Sequence, residues 1–118
     1  MERRGAKYHR ERLGEALREE IETIVEGELA DPRIGLATVT AVEMAEDGRS
    51  ARVLVMVHGS DEECQESMEG LIAASAFIRH EVAERLHLRR APELLFILDR
   101  SDKFKARVDQ LLKRTKKS

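Results

Sequence analysis

The sequence predicts an α+β fold, a three-stranded sheet packed with helices on one face, and three observations carry that expectation. Apolar residues recur at helical spacing near the start of the chain and again beyond residue 60. Between those stretches, two segments rich in β-branched residues flank a turn. A short unbroken apolar run, Leu94-Leu95-Phe96-Ile97-Leu98, follows Pro92 and Glu93.

From Tyr8 to Leu29, Leu13, Leu17, Ile21, Ile24 and Val25 form one apolar stripe, which predicts the first helix. Asp31-Pro32 ends it, because proline has no N–H to donate and pushes the preceding residue toward extended geometry. Leu36 to Ala45 and Ser50 to Val57 then read as strands. Ala51, Val53, Val55 and Val57 alternate with Arg52, Leu54 and Met56, and Glu46-Asp47-Gly48-Arg49 makes the hairpin turn.

Ser60, with Glu63 three residues on, is a capping-box signature, and the acids Asp61, Glu62 and Glu63 suit the positive end of a helix dipole. The stripe that follows runs through Cys64, Met68, Leu71, Ser75, Ile78, Val82 and Leu86. In a straight helix Phe77 would point about 140° from Val82. Two outcomes are open: a bend near Ala73-Ala74-Ser75-Ala76, or a straight helix with Phe77 partly exposed. Glu93 to Leu98 reads as a buried central strand. A last helix is expected from about Ser101, capped by Ser101 or Asp99, with Phe104, Val108, Leu111 and Leu112 on its apolar face.

With 118 residues, 42% of them hydrophobic and 37% charged, the chain can bury one core beneath a charged surface. The expectation is a single domain over 1–118, ordered from about 7 to 112, with residues 113–118 frayed. Cys64 is the one cysteine, which leaves no intramolecular disulfide and points to a reducing, cytoplasmic setting. The charged N-terminus and the absence of a long apolar window predict a protein neither exported nor embedded in a membrane.

Net charge is only −2, but it is unevenly spread: +3 over residues 1–18, +6 over 100–118 and −11 over 19–99. Attraction to a polyanion depends on such local clusters more than on the sum. With no Trp, one Tyr and three Phe, contact with RNA should be mostly to backbone and shape.

Enzyme chemistry finds little support. His80, Glu84 and His87 fall on one face of an unbroken helix, yet a solvated face explains them better than a metal site. No Gly-rich phosphate loop occurs, so neither a cofactor nor a metal is expected.

Asp31-Pro32-Arg33, Phe77-Ile78-Arg79 and Pro92-Glu93-Leu94-x-Phe96-x-x-Asp99 are individually weak motifs, but their order and spacing are more specific. With Val39 to Met44 and Leu86-x-Leu88-Arg89 they give the chain, from roughly Lys7 to Leu112, a resemblance to the ribosome-binding factor A family. That resemblance implies a type II KH-like domain in which an Ala-x-Gly interhelical kink replaces the usual glycine loop. The kink maps onto Ala74-Ser75-Ala76, with Ala76 where the family pattern has glycine. Alanine tolerates positive φ less well, so a shallower kink is expected.

The resemblance further implies binding to the free, immature small (30S) ribosomal subunit, maturation and 5′-end processing of its ribosomal RNA, growth in the cold, and no catalysis. The expected partners are that subunit and its RNA, with an assembly GTPase as a further candidate, and the expected state is a monomer. The resemblance assigns the RNA-facing kink to Ala74, Ser75 and Ala76. The chain's own positive charge nominates Arg3, Arg4, Lys7 and Arg10 at the start, Arg79, Arg85, Arg89 and Arg90 along and after the kinked helix, and Lys113, Arg114, Lys116 and Lys117 at the end. Arg79 has two readings, an RNA contact or a structural partner. Two rivals remain: a protein-interaction domain whose acidic helices recruit another assembly factor, and a metal-assisted nuclease using the His80 face.

Overall fold

A computed structural model describes residues 4–100 and 112–113. The elements run α1 (Arg4–Thr23), a π-helical turn (Ile24–Glu28), β1 (Ala37–Met44), β2 (Ser50–Val57), α2 (Asp61–Ala73), α3 (Ser75–Arg85) and β3 (Glu93–Leu98). Leu112 and Lys113 are helical and exposed; the rest of the expected last helix lies outside the described residues.

The first helix ends in a way its periodicity does not reveal. In a regular helix, neighbours such as Ile24 and Val25 project about 100° apart. Here the last turn is widened, the Leu29 N–H reaching the Ile24 carbonyl at 3.0 Å, and both side chains are buried. After Pro32 the chain folds back onto α2. The Ser67 hydroxyl, itself buried, accepts the Gly35 N–H at 3.0 Å and lies 3.3 Å from the Arg33 carbonyl. Gly70 makes the approach possible, since a Cβ there would sit 2.7 Å from Ile34 Cγ1.

β1 and β2 pair antiparallel through a turn in which Gly48 has φ +71° and the Asp47 carboxylate accepts the Arg49 N–H. The register shifts between Val39 and Ala41, so Thr40 is an extra residue in the ladder. Its hydroxyl lies 3.2 Å from the Leu54 carbonyl and 3.0 Å from the Asp99 carboxylate, tying the end of β3 across the sheet to β1.

β3 corrects the expectation of a central strand. The sheet order is β1-β2-β3, with β3 parallel to β2 and paired only with it among the described residues. Leu94 faces the core, whereas Leu95 and Ile97 are exposed. A continuous apolar run suggests burial on both faces, but the helices cover one face of this sheet.

Ser60 and Glu63 form the capping box reciprocally, and the helix they start breaks at Ala74 (φ −87°, ψ −1°). The break stays in right-handed backbone: among described residues other than glycine, only His87 has positive φ. The bend therefore needs no glycine conformation at position 76, and it leaves Phe77 51% exposed. The core lies between the helices and the inner sheet face, where Leu17, Ile21, Leu71, Ile78 and Val82 pack with Val39, Val53 and Val55. Burying each such side chain contributes roughly 1.5–3 kcal/mol.

Candidate nucleic-acid interface

Strand register decides which charged residues become neighbours. Because β1 and β2 are antiparallel and β2 and β3 parallel, the β1–β2 turn and the start of β3 share one end of the sheet, with Ser50 opposite Glu93. The Glu93 N–H bonds to the Arg49 carbonyl at 2.9 Å, which sets Arg49 beside the segment carrying Arg89 and Arg90. The first turns of α1 reach the same end. Lys7, Arg10, Glu11, Gly14 and Glu15 line a cleft of about 520 Å³ with Val42, Glu43 and Met44 of β1. Three strands span about 10 Å, so cations from three distant parts of the chain are brought to the same end of the sheet.

Arg49 is absent from the sequence-based candidates. It sits in a turn beside Glu46 and Asp47, and only the parallel pairing of β2 with β3 brings it to Arg89 and Arg90.

Carboxylates are interspersed with these cations, Glu11 and Glu15 in the cleft, Glu43 on β1, Glu46 and Asp47 in the turn and Glu93 at the start of β3. Glu43 pairs with Arg52, and the Asp47 carboxylate accepts the Arg49 N–H. The opposite end is acidic. Asp61, Glu62, Glu63 and Glu66 open α2 there, and Glu22, Glu26 and Glu28 close α1 and its π turn. Arg33 at that end is bound bidentately by Asp31, with 2.7 Å from Nη2 to Oδ2. The hydrogen bonds from Arg33 hold the Asp31 carboxyl below the usual carboxylate range. A phosphate backbone is thus repelled more strongly by the second end than by the first, where cations are interspersed with the acids.

Two candidate arginines are engaged within the protein. Arg79 donates Nε to the Pro92 carbonyl and Nη2 to the Ala91 carbonyl, both at 3.0 Å, which locks the first turns of α3 to the start of β3. The structural reading of Arg79 therefore accounts for its guanidinium. Arg85 meets Glu28 at 2.9 Å, Glu81 at 3.4 Å and Glu20 at 3.7 Å, and the Glu28 hydrogen bond raises its pKa. Its charge is more than offset by three carboxylates.

Ala74, Ser75 and Ala76 form the turn between α2 and α3, within about 8 Å along the helix of Arg79 and hence close to the start of β3. Arg4 opens α1. β3 ends at the acidic end, so Arg100, two residues after Leu98, lies there. Lys113 is exposed, while Arg3, Arg114, Lys116 and Lys117 lie outside the described residues.

The alternative chemistry has little geometry. His80 and Glu84 pair at 3.2 Å on the surface, and among the described residues no three His, Cys, Asp or Glu side chains could hold a metal together. Cys64 is buried, its Sγ 3.5 Å from the Val57 carbonyl. Among the described residues no helix is long and apolar enough to cross a membrane.

Fold and charge together define a small α+β protein with one face of its sheet covered by helices, one end predominantly acidic and the other of mixed charge with clustered arginines. The family model for ribosome-binding factor A matches residues 9–112, and the chain belongs to that family. It is 60% identical over 117 residues to a ribosome-binding factor A of Koribacter versatilis, covering 99% of this chain and 95% of that one. Among solved structures, it resembles a Thermotoga maritima ribosome binding factor A in solution, with TM-score 0.68, 33% identity, and 76% and 86% of the two chains covered. It also resembles the Thermus thermophilus ribosome binding factor A fitted into a cryo-electron microscopy map of a 30S complex. Those coordinates are a homology model of the Thermus protein as fitted into the map; the TM-score is 0.56 at 33% identity, with 78% and 92% covered.

Proposed function

We propose that this protein binds the free, immature small ribosomal subunit and promotes maturation and 5′-end processing of its RNA, with no catalysis of its own. The distribution of charge carries the reading: Lys7, Arg10, Arg49, Arg89 and Arg90 stand at one end of the sheet, interspersed with carboxylates such as Glu11, Glu15 and Glu93, whereas the other end is predominantly acidic. The Thermus relative placed in a 30S complex supports the choice of subunit. Maturation then follows from differential affinity: a factor that binds one arrangement of an RNA junction more tightly than another shifts RNA toward it and leaves when that arrangement is lost.

The fold is read as a type II KH-like single domain over 1–118, with the Ala74-Ser75-Ala76 turn in place of the glycine loop and facing RNA. The protein acts as a cytoplasmic monomer that supports growth in the cold, and an assembly GTPase is a further candidate partner. Co-sedimentation with separated small subunits, large subunits and intact ribosomes tests this. Binding confined to free small subunits and weakened by salt is the expected result; equal binding to every particle would contradict it.

The acidic start of α2 favours a second reading, a module that recruits another assembly factor through Asp61, Glu62 and Glu66. Subunit binding that is insensitive to salt, together with capture of a protein partner, would favour that alternative.

A further inference from the structure

Tyr8 stands exposed, as Leu36, Ile72 and Phe77 do, but among the described residues it alone has a cation over its ring. It lies on α1 about 180° from Leu17, on the side away from the core, and is 61% exposed. Arg12, one turn on, sits over the ring with its guanidinium carbon 5.8 Å from the centroid. Arg4, one turn back, falls on the same stripe. The sequence thus sets an open aromatic face between two cations, in the part of α1 that reaches the arginine-bearing end of the sheet.

Resting on the RNA reading above, we propose that Tyr8 is a stacking platform for one unpaired base of the bound RNA, with Arg12 behind the ring and Arg4 and Arg12 meeting the flanking phosphates. Any base presents a flat π-face, so a single exposed ring contributes affinity without sequence choice. The guanidinium over one face of the ring leaves the other for the base and adds a cation–π contribution. Glu11 and Glu15 share this side of the helix, so the phosphates are drawn toward the Arg4 end. A duplex has no unstacked base to offer, so the contact selects single-stranded or looped RNA. A scarcity of aromatics in the sequence argues against a surface of many stacked bases and leaves room for one.

The chain provides its own probe, because Tyr8 is the one tyrosine and there is no tryptophan. Tyrosine emission of the full-length protein is followed while a single-stranded oligoadenylate of about 12 nucleotides is added at low salt, with an RNA duplex of equal phosphate content as control. Strong quenching by the single strand and little by the duplex is expected. Tyr8→Leu should lower single-strand affinity about tenfold without changing its salt dependence, whereas Tyr8→Phe should retain affinity within about twofold. Far-UV circular dichroism of each variant checks that the helix persists. Binding with unquenched emission, or a Tyr8→Leu variant that binds as well as the parent, overturns the stacking role and leaves the RNA reading standing. Failure of the parent protein to bind either RNA or small subunits overturns both.

Discussion

Gly70 is where a single methyl group would be felt most. A Cβ at that position would meet Ile34 Cγ1 at 2.7 Å, with the Arg33 Cβ at 3.4 Å behind it, so the turn after Pro32 would have to lift off α2. Gly70→Ala should destabilise the protein by roughly 1–3 kcal/mol in urea unfolding, against the usual helix preference for alanine. Gly5, with open space around it, should gain from the same change. His87 predicts the opposite sign. It ends α3 with φ +53°, while the Leu88 N–H returns to the Ala83 carbonyl at 2.8 Å, a position where glycine is favoured. His87→Gly should stabilise by about 0.5–1 kcal/mol in the same assay. The sequence marks Asp31-Pro32-Arg33 and Arg79 as worth attention, but not the contacts that make them so. Ser67 and Gly70 lie more than thirty residues from the turn they hold, and the carbonyls that bind Arg79 belong to another loop. No local spacing encodes such partners.

At the scale of elements, the start of α2 depends on a side chain readable in the sequence. Ser60 accepts the Glu63 N–H at 3.2 Å, and Glu63 accepts the Ser60 N–H at 3.1 Å. Ser60→Ala should cost about 1 kcal/mol. The hydrogen bonds from Ser60, backbone first, hold the Glu63 carboxyl below its ordinary range. A carboxyl with a lowered folded-state pKa stabilises the fold above its ordinary value and loses that contribution as pH falls through the lowered one. The stability advantage of the parent over Glu63→Gln in urea titrations should therefore be present at neutral pH and close in acid. The capping box, the hairpin turn and the helix stripes were legible because they are local. The π-helical turn, the extra residue at Thr40 and the edge position of β3 were not. Each depends on what packs alongside: two adjacent apolar residues needing the same core, a register shared with β2, and helices that cover only one sheet face.

For the whole molecule, function rests on how the fold redistributes a net charge of −2. Basic residues near the start were visible in the sequence, as were Arg89 and Arg90, but their meeting with Arg49 required the parallel pairing of β2 and β3. The same folding places Arg85 among Glu20, Glu28 and Glu81. Arg85→Ala is therefore expected to lower stability, since it leaves three carboxylates facing one another, while changing the salt dependence of subunit binding little. Thermal unfolding and sedimentation of that variant separate the two effects. The central claim is that the end of the sheet bearing Arg49, Arg89 and Arg90 faces ribosomal RNA, and sedimentation of the Arg49→Glu, Arg89→Glu, Arg90→Glu variant with free small subunits tests it most directly. The account predicts binding weakened by roughly ten- to a hundredfold, with a shallower salt dependence than the parent protein and an unchanged fold. Parent-like binding by this folded variant would contradict it.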